Sequence, residues 1–182
     1  MRRNNAAAFW AVVTAVTAVD VLTKWWAEMS LRPQGFPREI AGEWLRLTLV
    51  YNPGVAFGLH VGEHSRWVFM ALTVIALAIL GRLYLSTNEG DMPRSIALAL
   101  VCAGALGNLI DRVRSGRGVV DFIDIGLGST RWPTFNVADM AVSTGAFLLA
   151  WVLWGEDRKA NEARAAEAAD PAVTASAEGA KS

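Results

Sequence analysis

The chain of 182 residues contains one cysteine, Cys102, which excludes an intramolecular disulfide framework and any multi-cysteine metal site. It has no net charge, 17 Lys and Arg against 17 Asp and Glu, and so lacks the global basic field that nucleic acid attracts. Histidine is confined to His60 and His64. No charge-free apolar run exceeds 16 residues, short of the ~18–20 expected of a membrane span that holds no charge. What is abundant is apolar: 53% of the residues, with a mean hydropathy of +0.31, which excludes a disordered chain.

Charge is unevenly spread. Residues 156–182 hold ten charged side chains, Glu156, Asp157, Arg158, Lys159, Glu162, Arg164, Glu167, Asp170, Glu178 and Lys181, set among alanines. That segment reads as a solvated, low-complexity, disordered tail with room for helix at its start. Residues 1–155 are the domain.

Four apolar stretches lie within it. Ala6–Trp26 includes Asp20 and Lys24, and Trp67–Gly81 continues past Arg82 to Leu85; Ser95–Ile110 and Met140–Gly155 complete the set. Each becomes long enough to span when its terminal charges snorkel or sit in a protected pocket. The expected spans are about 6–28, 66–85, 94–112 and 138–155. A soluble bundle would need a polar face on each helix, which Met70–Leu80 and Ser95–Ile110 lack. Tryptophans fall where interfaces should be: Trp25, Trp26, Trp44, Trp67 and Trp132 at one boundary, Trp10, Trp151 and Trp154 at the other. Arg2 and Arg3 before an apolar run imitate a signal peptide, but Asp20 and Lys24 interrupt the run and no small-x-small site follows, so it is read as an uncleaved first span.

Alternation of four spans brings the end of the first, the start of the second, the end of the third and the start of the fourth to one side. Asp20, Lys24, Asn52, Asn108, Asp111, Arg112, Asn136 and Asp139 all gather there. Asp20 lies about 21 Å along the helix from Ala6, in the outer third of a ~30 Å hydrocarbon core. The opposite side has Arg2, Arg3, the 82–94 loop and the tail. Charge counting leaves orientation open, because Arg32, Arg38, Arg46, Arg66, Arg114, Arg117 and Arg131 occupy the equipped side. Between the first two spans, Trp44–Tyr51 alternates as a strand, Asn52-Pro53-Gly54 is a turn signal and Val55–Leu59 is a candidate return strand. The expected fold is thus a mainly α membrane protein with four transmembrane helices and a small β-sheet, about residues 37–60, on the membrane surface.

Asp121 and Asp139 are the leading chemical pair. Two close carboxylates that share one proton can activate water, one as base and the other polarising a carbonyl. Their spacing equally suits two helix-boundary residues, since Asn136-x-x-Asp139 has the form of an N-cap. Gly104, Asn108 and Asp111 share a helix face with Gly107 and Arg112 nearby. The glycines permit close helix approach, while a buried Asn and Arg require a partner. Asp20 and Lys24 form an i, i+4 pair, which is more often structural than catalytic. His60-Val-Gly-Glu63-His64 spells an inverted zincin motif, but Gly58 and Gly62 disfavour the helix it needs, so no metal is expected. Cys102 has no histidine placed to activate it and reads as packing. A transporter would carry ionisable residues near the midplane and on both sides, unlike this one-sided set.

Five ordered blocks between Val19 and Trp154 make the chain resemble bacterial lipoprotein signal peptidase (signal peptidase II), a membrane aspartic protease family. They are Asp20-x-x-x-Lys24; Asn52-Pro-Gly54-Val-Ala-Phe-Gly58; Gly104-Ala-Leu-Gly107-Asn108-Leu-Ile-Asp111-Arg112; Val119-Val-Asp121-Phe-Ile-Asp124; and Phe135-Asn136-Val-Ala-Asp139. Ala103, where the family often has a further glycine, and Pro53, at a variable position, are minor departures. The resemblance implies that Asp121 and Asp139 are the catalytic dyad. It implies that Asn52, Gly54, Asn108, Arg112 and Asn136, backed by Asp20 and Lys24, position substrate, with Gly104 and Asp111 structural beside them. It further implies cleavage of diacylglyceryl-modified prolipoproteins just before the lipidated cysteine. No cofactor, nucleic acid or obligate protein partner is implied, only substrate and membrane lipid. The implied location is the bacterial inner membrane, with both termini cytoplasmic and the active site at the outer leaflet. The surface sheet is then expected to cap the cleft against bulk water.

Overall fold

The computed structural model describes residues 2–54 and 64–168. The elements run α1 (Arg2–Ser30), β1 (Arg38–Ala41), β2 (Leu45–Asn52), α2 (Ser65–Leu85), α3 (Met92–Arg114), β3 (Val119–Leu127), β4 (Thr130–Arg131) and α4 (Val137–Ala168). Each helix is long and apolar enough to cross a membrane, over Asn5–Ser30, Ser65–Leu85, Met92–Arg114 and Val137–Ala166. These contain all four spans expected from the sequence.

α3 is the central helix and packs against α1, α2 and α4. Its inward face is built from small side chains, Ala97, Ala99, Cys102, Ala103, Gly104 and Gly107, all buried. Small residues let helix backbones approach in lipid, where no hydrophobic force pushes them together. A Cβ on Gly104 would collide with the Ala138 carbonyl oxygen, and one on Gly145 would stand 2.8 Å from that of Ala97. Cys102 lies in a buried cluster with Phe9, Val13, Leu98 and Ala99, as a packing residue would.

α2 fully buries only Ser65; Leu77, Leu80 and Tyr84 pack partly against the core, while Trp67, Leu72, Val74, Ile75, Ile79, Leu83 and Leu85 are exposed, which suits lipid and would be untenable in water. All eight tryptophans are at least 45% exposed, so they face the surroundings rather than the core. Helix ends are held by side chains. Asp91 caps α3 by accepting from Arg94 N at 3.1 Å, with Pro93 in the first turn. Arg66, opening α2, donates to the Arg112 and Val113 carbonyl oxygens at the far end of α3.

The sheet departs in one respect from the sequence expectation. It has four antiparallel strands in the order β1-β2-β3-β4, and two of them come from the segment between α3 and α4. The partners of β2 are β1 and β3; the candidate return strand Val55–Leu59 lies outside the described residues. β3 falls outside the sheet expected at about residues 37–60 because both of its faces are covered. Val120 and Phe122 pack with Ala27, Leu31 and Leu49, while Asp121 on the opposite face is equally buried. Without one wet face there is no polar alternation to read.

α4 continues from the span through residues 156–168, so helix occupies the start of the tail, where the sequence left room for it. That stretch is rich in alanine and charged helix formers, and Arg158 and Glu162 pair across one turn at 3.3 Å.

Candidate active site

The start of α4 organises the site. Asn136 is its N-cap: the side-chain oxygen accepts from Asp139 N at 3.0 Å, and Asp139 Oδ2 accepts from Asn136 N at 3.1 Å. This reciprocal pair is a capping box, so Asp139 occupies the boundary role that its spacing suggests. The next free amide of the first turn, Ala138 N, donates to Asp20 Oδ1 of α1 at 2.8 Å. A carboxylate here also complements the positive end of the helix dipole.

Asn136 does more than cap. Fully buried, its amide nitrogen donates to Asp121 Oδ1 at 2.6 Å, while its backbone N–H holds Asp139. One residue therefore grips both candidate carboxylates. Asp121 is 3% exposed, and its Oδ2 accepts from Asn52 Nδ2 at 3.2 Å. Asn52 stands opposite Val119 in the β2–β3 register, one diagonal step from Asp121, within reach for a short amide. Its own side-chain oxygen accepts from Gly54 N at 3.0 Å, and Gly54 has φ +110°, a conformation suited to glycine. Burial, and then the neighbouring charge of Asp139, push the Asp121 carboxyl from 3.8 up to about 7; the Asn136 and Asn52 bonds and Lys24 pull the other way but do not cancel this.

Behind the pair lies a buried charge knot. Lys24 Nζ is 2.8 Å from Asp20 Oδ2, 3.0 Å from Asp111 Oδ2 and 2.9 Å from Asn108 Oδ1. The ammonium thus hydrogen-bonds Asn108 and ion-pairs with both carboxylates. Asn108 Nδ2 then donates to Asp139 Oδ1 at 2.8 Å, and its oxygen also accepts from Asn136 Nδ2 at 3.2 Å. Asp111 Oδ2 accepts from Val120 N at 3.1 Å, tying α3 to the strand that carries Asp121. Gly107 leaves the room this knot needs, since a Cβ there would collide with the Asp20 carboxylate.

Arg112 donates to its own helix at Asn108 O, 3.3 Å away, and lies 5.6 Å from the Phe69 ring. Its buried Nε has no partner among the described residues, so the guanidinium has a hydrogen-bond donor in reserve. The structure thus brings together Asp20, Lys24, Asn52, Gly54, Asn108, Asp111, Arg112, Asn136, Asp121 and Asp139, with Gly104 packed beneath Ala138. Of the zincin motif, His64 stands at the N-cap position of α2, and His60 and Glu63 lie outside the described residues. Among the described residues no three His, Cys, Asp or Glu side chains are grouped to hold a metal.

Two supporting clusters escape sequence reasoning. Glu28 of α1 accepts from Tyr51, Arg114 and Arg117 at 3.0, 2.7 and 3.0 Å, and Arg117 also stacks 4.0 Å over the Tyr51 ring. At the far end of the sheet, Asp124 accepts from Thr48 at 3.0 Å and from Arg131 at 2.9 Å. Both join segments distant in sequence, and the arginines look like ordinary surface charges until the sheet is built.

The family model for signal peptidase (SPase) II matches residues 12–155. A lipoprotein signal peptidase of Polynucleobacter necessarius is 40% identical over 153 residues, covering 82% of this chain and 88% of that protein. One from Hydrogenovibrio crunogenus is 43% identical over 136 residues, covering 74% and 77%. A solved bacterial membrane enzyme, studied by the in meso method, superposes with a TM-score of 0.70 at 32% identity, over 80% of this chain and 91% of its own. A second, by the same method, gives 0.73 at 31% identity over 82% and 88%. With its matched segment spanning all four helices and every residue of the aspartate site, the chain belongs to the signal peptidase II family.

Proposed function

We propose that the chain cleaves prolipoproteins within the membrane, just before a diacylglyceryl-modified cysteine, with Asp121 and Asp139 as the catalytic dyad. The observation that carries this reading is the double grip of Asn136 on both carboxylates, one of which is pushed up to about 7. Near neutral pH such a pair holds one proton between its members. The ionised carboxylate removes a proton from water as the oxygen attacks the scissile carbonyl carbon. The protonated partner hydrogen-bonds the carbonyl oxygen and steadies its developing charge. Collapse of the tetrahedral intermediate returns the proton to the departing amine, and no acyl-enzyme forms.

The surroundings suit that chemistry. Asn52, Asn108 and Asn136 fix the oxygens of both aspartates, and Arg112 offers its unspent donor to a substrate backbone carbonyl. Lys24, Asp20 and Asp111 stand behind this layer and position it. In this reading both termini are cytoplasmic and the sheet end faces the outer leaflet. A lipid-anchored substrate then meets the carboxylates at the span ends without leaving the bilayer.

The test is cleavage of a purified diacylglyceryl-prolipoprotein in detergent by wild type, Asp121→Asn and Asp139→Asn. Wild type should cut before the modified cysteine, and both folded variants should lose activity by at least about a thousandfold. Variants that still cut would remove the dyad assignment. A folded wild type that leaves the lipidated substrate intact would remove the substrate assignment.

A further inference from the structure

Midway along the sheet, β2 carries one residue more than its partner. Leu47 pairs with Ile123 but Val50 pairs with Asp121, so three steps of β2 match two of β3. Thr48 and Leu49, both buried, take up the extra place as a β-bulge. Thr48 donates to Asp124 at 3.0 Å, and the Leu49 carbonyl oxygen accepts from Gly35 N at 3.0 Å. Side chains alternate along a strand, so a slip of one residue turns each to the opposite face. Beyond the bulge, Val50 and Asn52 share the face of Asp121, and Tyr51, opposite Val120, takes the other. If the Leu47–Ile123 register ran on without the bulge, Tyr51 would stand opposite Val119 and Asn52 would turn away from Asp121.

The cluster around Glu28 holds the bulged register. Tyr51, the residue before Asn52, donates its hydroxyl hydrogen to Glu28 at 3.0 Å. The same carboxylate, its side chain 12% exposed, accepts from Arg114 at 2.7 Å and from Arg117 at 3.0 Å. Arg117 also lies 4.0 Å over the Tyr51 ring. Hydrogen bonds between ionised partners are stronger than neutral ones. From the end of α1, Glu28 therefore grips β2, the last turn of α3 and the turn that leads into β3. A slipped β2 would carry Tyr51 to the aspartate face, away from both Glu28 and Arg117. The cluster thus favours the one register in which the Asn52 amide meets Asp121, 3.2 Å away.

We propose that Glu28 is a positioning residue for prolipoprotein cleavage, setting through Tyr51 the β2 register that brings Asn52 to Asp121. The inference rests on the Asp121–Asp139 dyad proposed above.

Two measurements on the full chain in detergent test it. The first is a double-mutant cycle on cleavage of a diacylglyceryl-prolipoprotein. Glu28→Ala should lower kcat about tenfold and leave KM within about twofold. Asn52→Ala should lower kcat at least as far, and Glu28→Ala added to it should cost less than about twofold more, because the two act as a unit. Tyr51→Phe keeps the ring under Arg117 and loses only the hydroxyl; it should cost about threefold and likewise add nothing to Asn52→Ala. A Glu28→Ala loss that multiplies with that of Asn52→Ala, or one confined to KM, would overturn the assignment.

The second measurement reads register without activity. Asn52→Cys and Val119→Cys stand opposite each other, within disulfide reach, and should cross-link on oxidation. Adding Glu28→Ala should cut the yield at least about threefold, to the share of chains that keep the register. An undiminished yield would overturn the assignment. Cleavage by Asp121→Asn would remove the dyad itself, whereas the cross-link reports the register whether or not the dyad stands, so the two failures are distinct.

Discussion

Asp121→Asn should make the protein inactive and, at alkaline pH, more stable. The folded site raises the Asp121 carboxyl from 3.8 to about 7, so the native state binds this proton far more tightly than the unfolded chain. Three powers of ten in proton affinity correspond to about 4 kcal/mol. The sign follows from linkage. Below pH ~4 both states are protonated and nothing is lost; between about 4 and 7 the unfolded chain ionises first and stability falls; above 7 the folded state carries the full cost of a buried carboxylate. Asparagine never carries that cost. It keeps the oxygen that Asn136 donates to, but its amide would face the Asn52 amide, which must turn and give up the bond from Gly54 N. One lost hydrogen bond is worth about 1 kcal/mol, leaving a net gain of ~3 kcal/mol above pH 7. Reversible unfolding in mixed micelles at pH 4 and pH 8 measures it. The variant should match or fall slightly below wild type at pH 4 and exceed it at pH 8. A difference that does not change with pH, or a variant weaker at pH 8, would refute the claim that burial and Asp139 raise this carboxyl.

Further expectations concern the charge knot. Lys24→Met leaves Asp20 and Asp111 buried without their cation and should cost about 3–5 kcal/mol in the same unfolding assay, with Asp20→Asn in addition recovering part of it. Because Lys24 also favours ionised Asp121, surviving activity should show its base titration at higher pH than wild type, which a pH–rate profile reads. Gly107→Ala drives a methyl group against the Asp20 carboxylate and to 3.3 Å from Ala138 Cβ. A loss of about 1–3 kcal/mol is expected, with kcat falling more than KM rises, since the start of α4 and hence Asp139 shift. Both variants should remain membrane-inserted, which alkaline extraction checks.

The four helices and the one-sided gathering of polar residues were legible because they depend only on run length and alternation of direction. Asp20, Lys24, Asn108 and Asp139 fall at span ends whatever their exact partners. Several partners were hidden because they are backbone groups or come from distant segments. Nothing in the sequence says that Asp20 holds Ala138 N, 118 residues away, or that Asp111 holds Val120 N. The pairing of β2 with β3 was hidden for a related reason. Val119–Asp124 is buried on both faces, so it gives no period, and a strand partner about 70 residues distant leaves no local turn signal. At Asn136-x-x-Asp139 the cap does not preclude a chemical site: both residues form the cap, and Asn136 also holds Asp121.

The order in which these contacts can form has a consequence for biosynthesis. Asn52 reaches Asp121 across 69 residues, Asn108 reaches Asp139 across 31, and Ala138 reaches Asp20 across 118. The first and last bridge the complete helices α2 and α3, and the last requires the first and fourth helices together. While the ribosome is still extending the chain, Asp121 has no second carboxylate and Asn136 has no helix to cap. With Asp121 and Asp139 as the dyad proposed above, the nascent protein is inert through most of its insertion. On that proposal activity waits for α4 to dock, and delay in docking would act as a safety interval for a protease born in the membrane where it works.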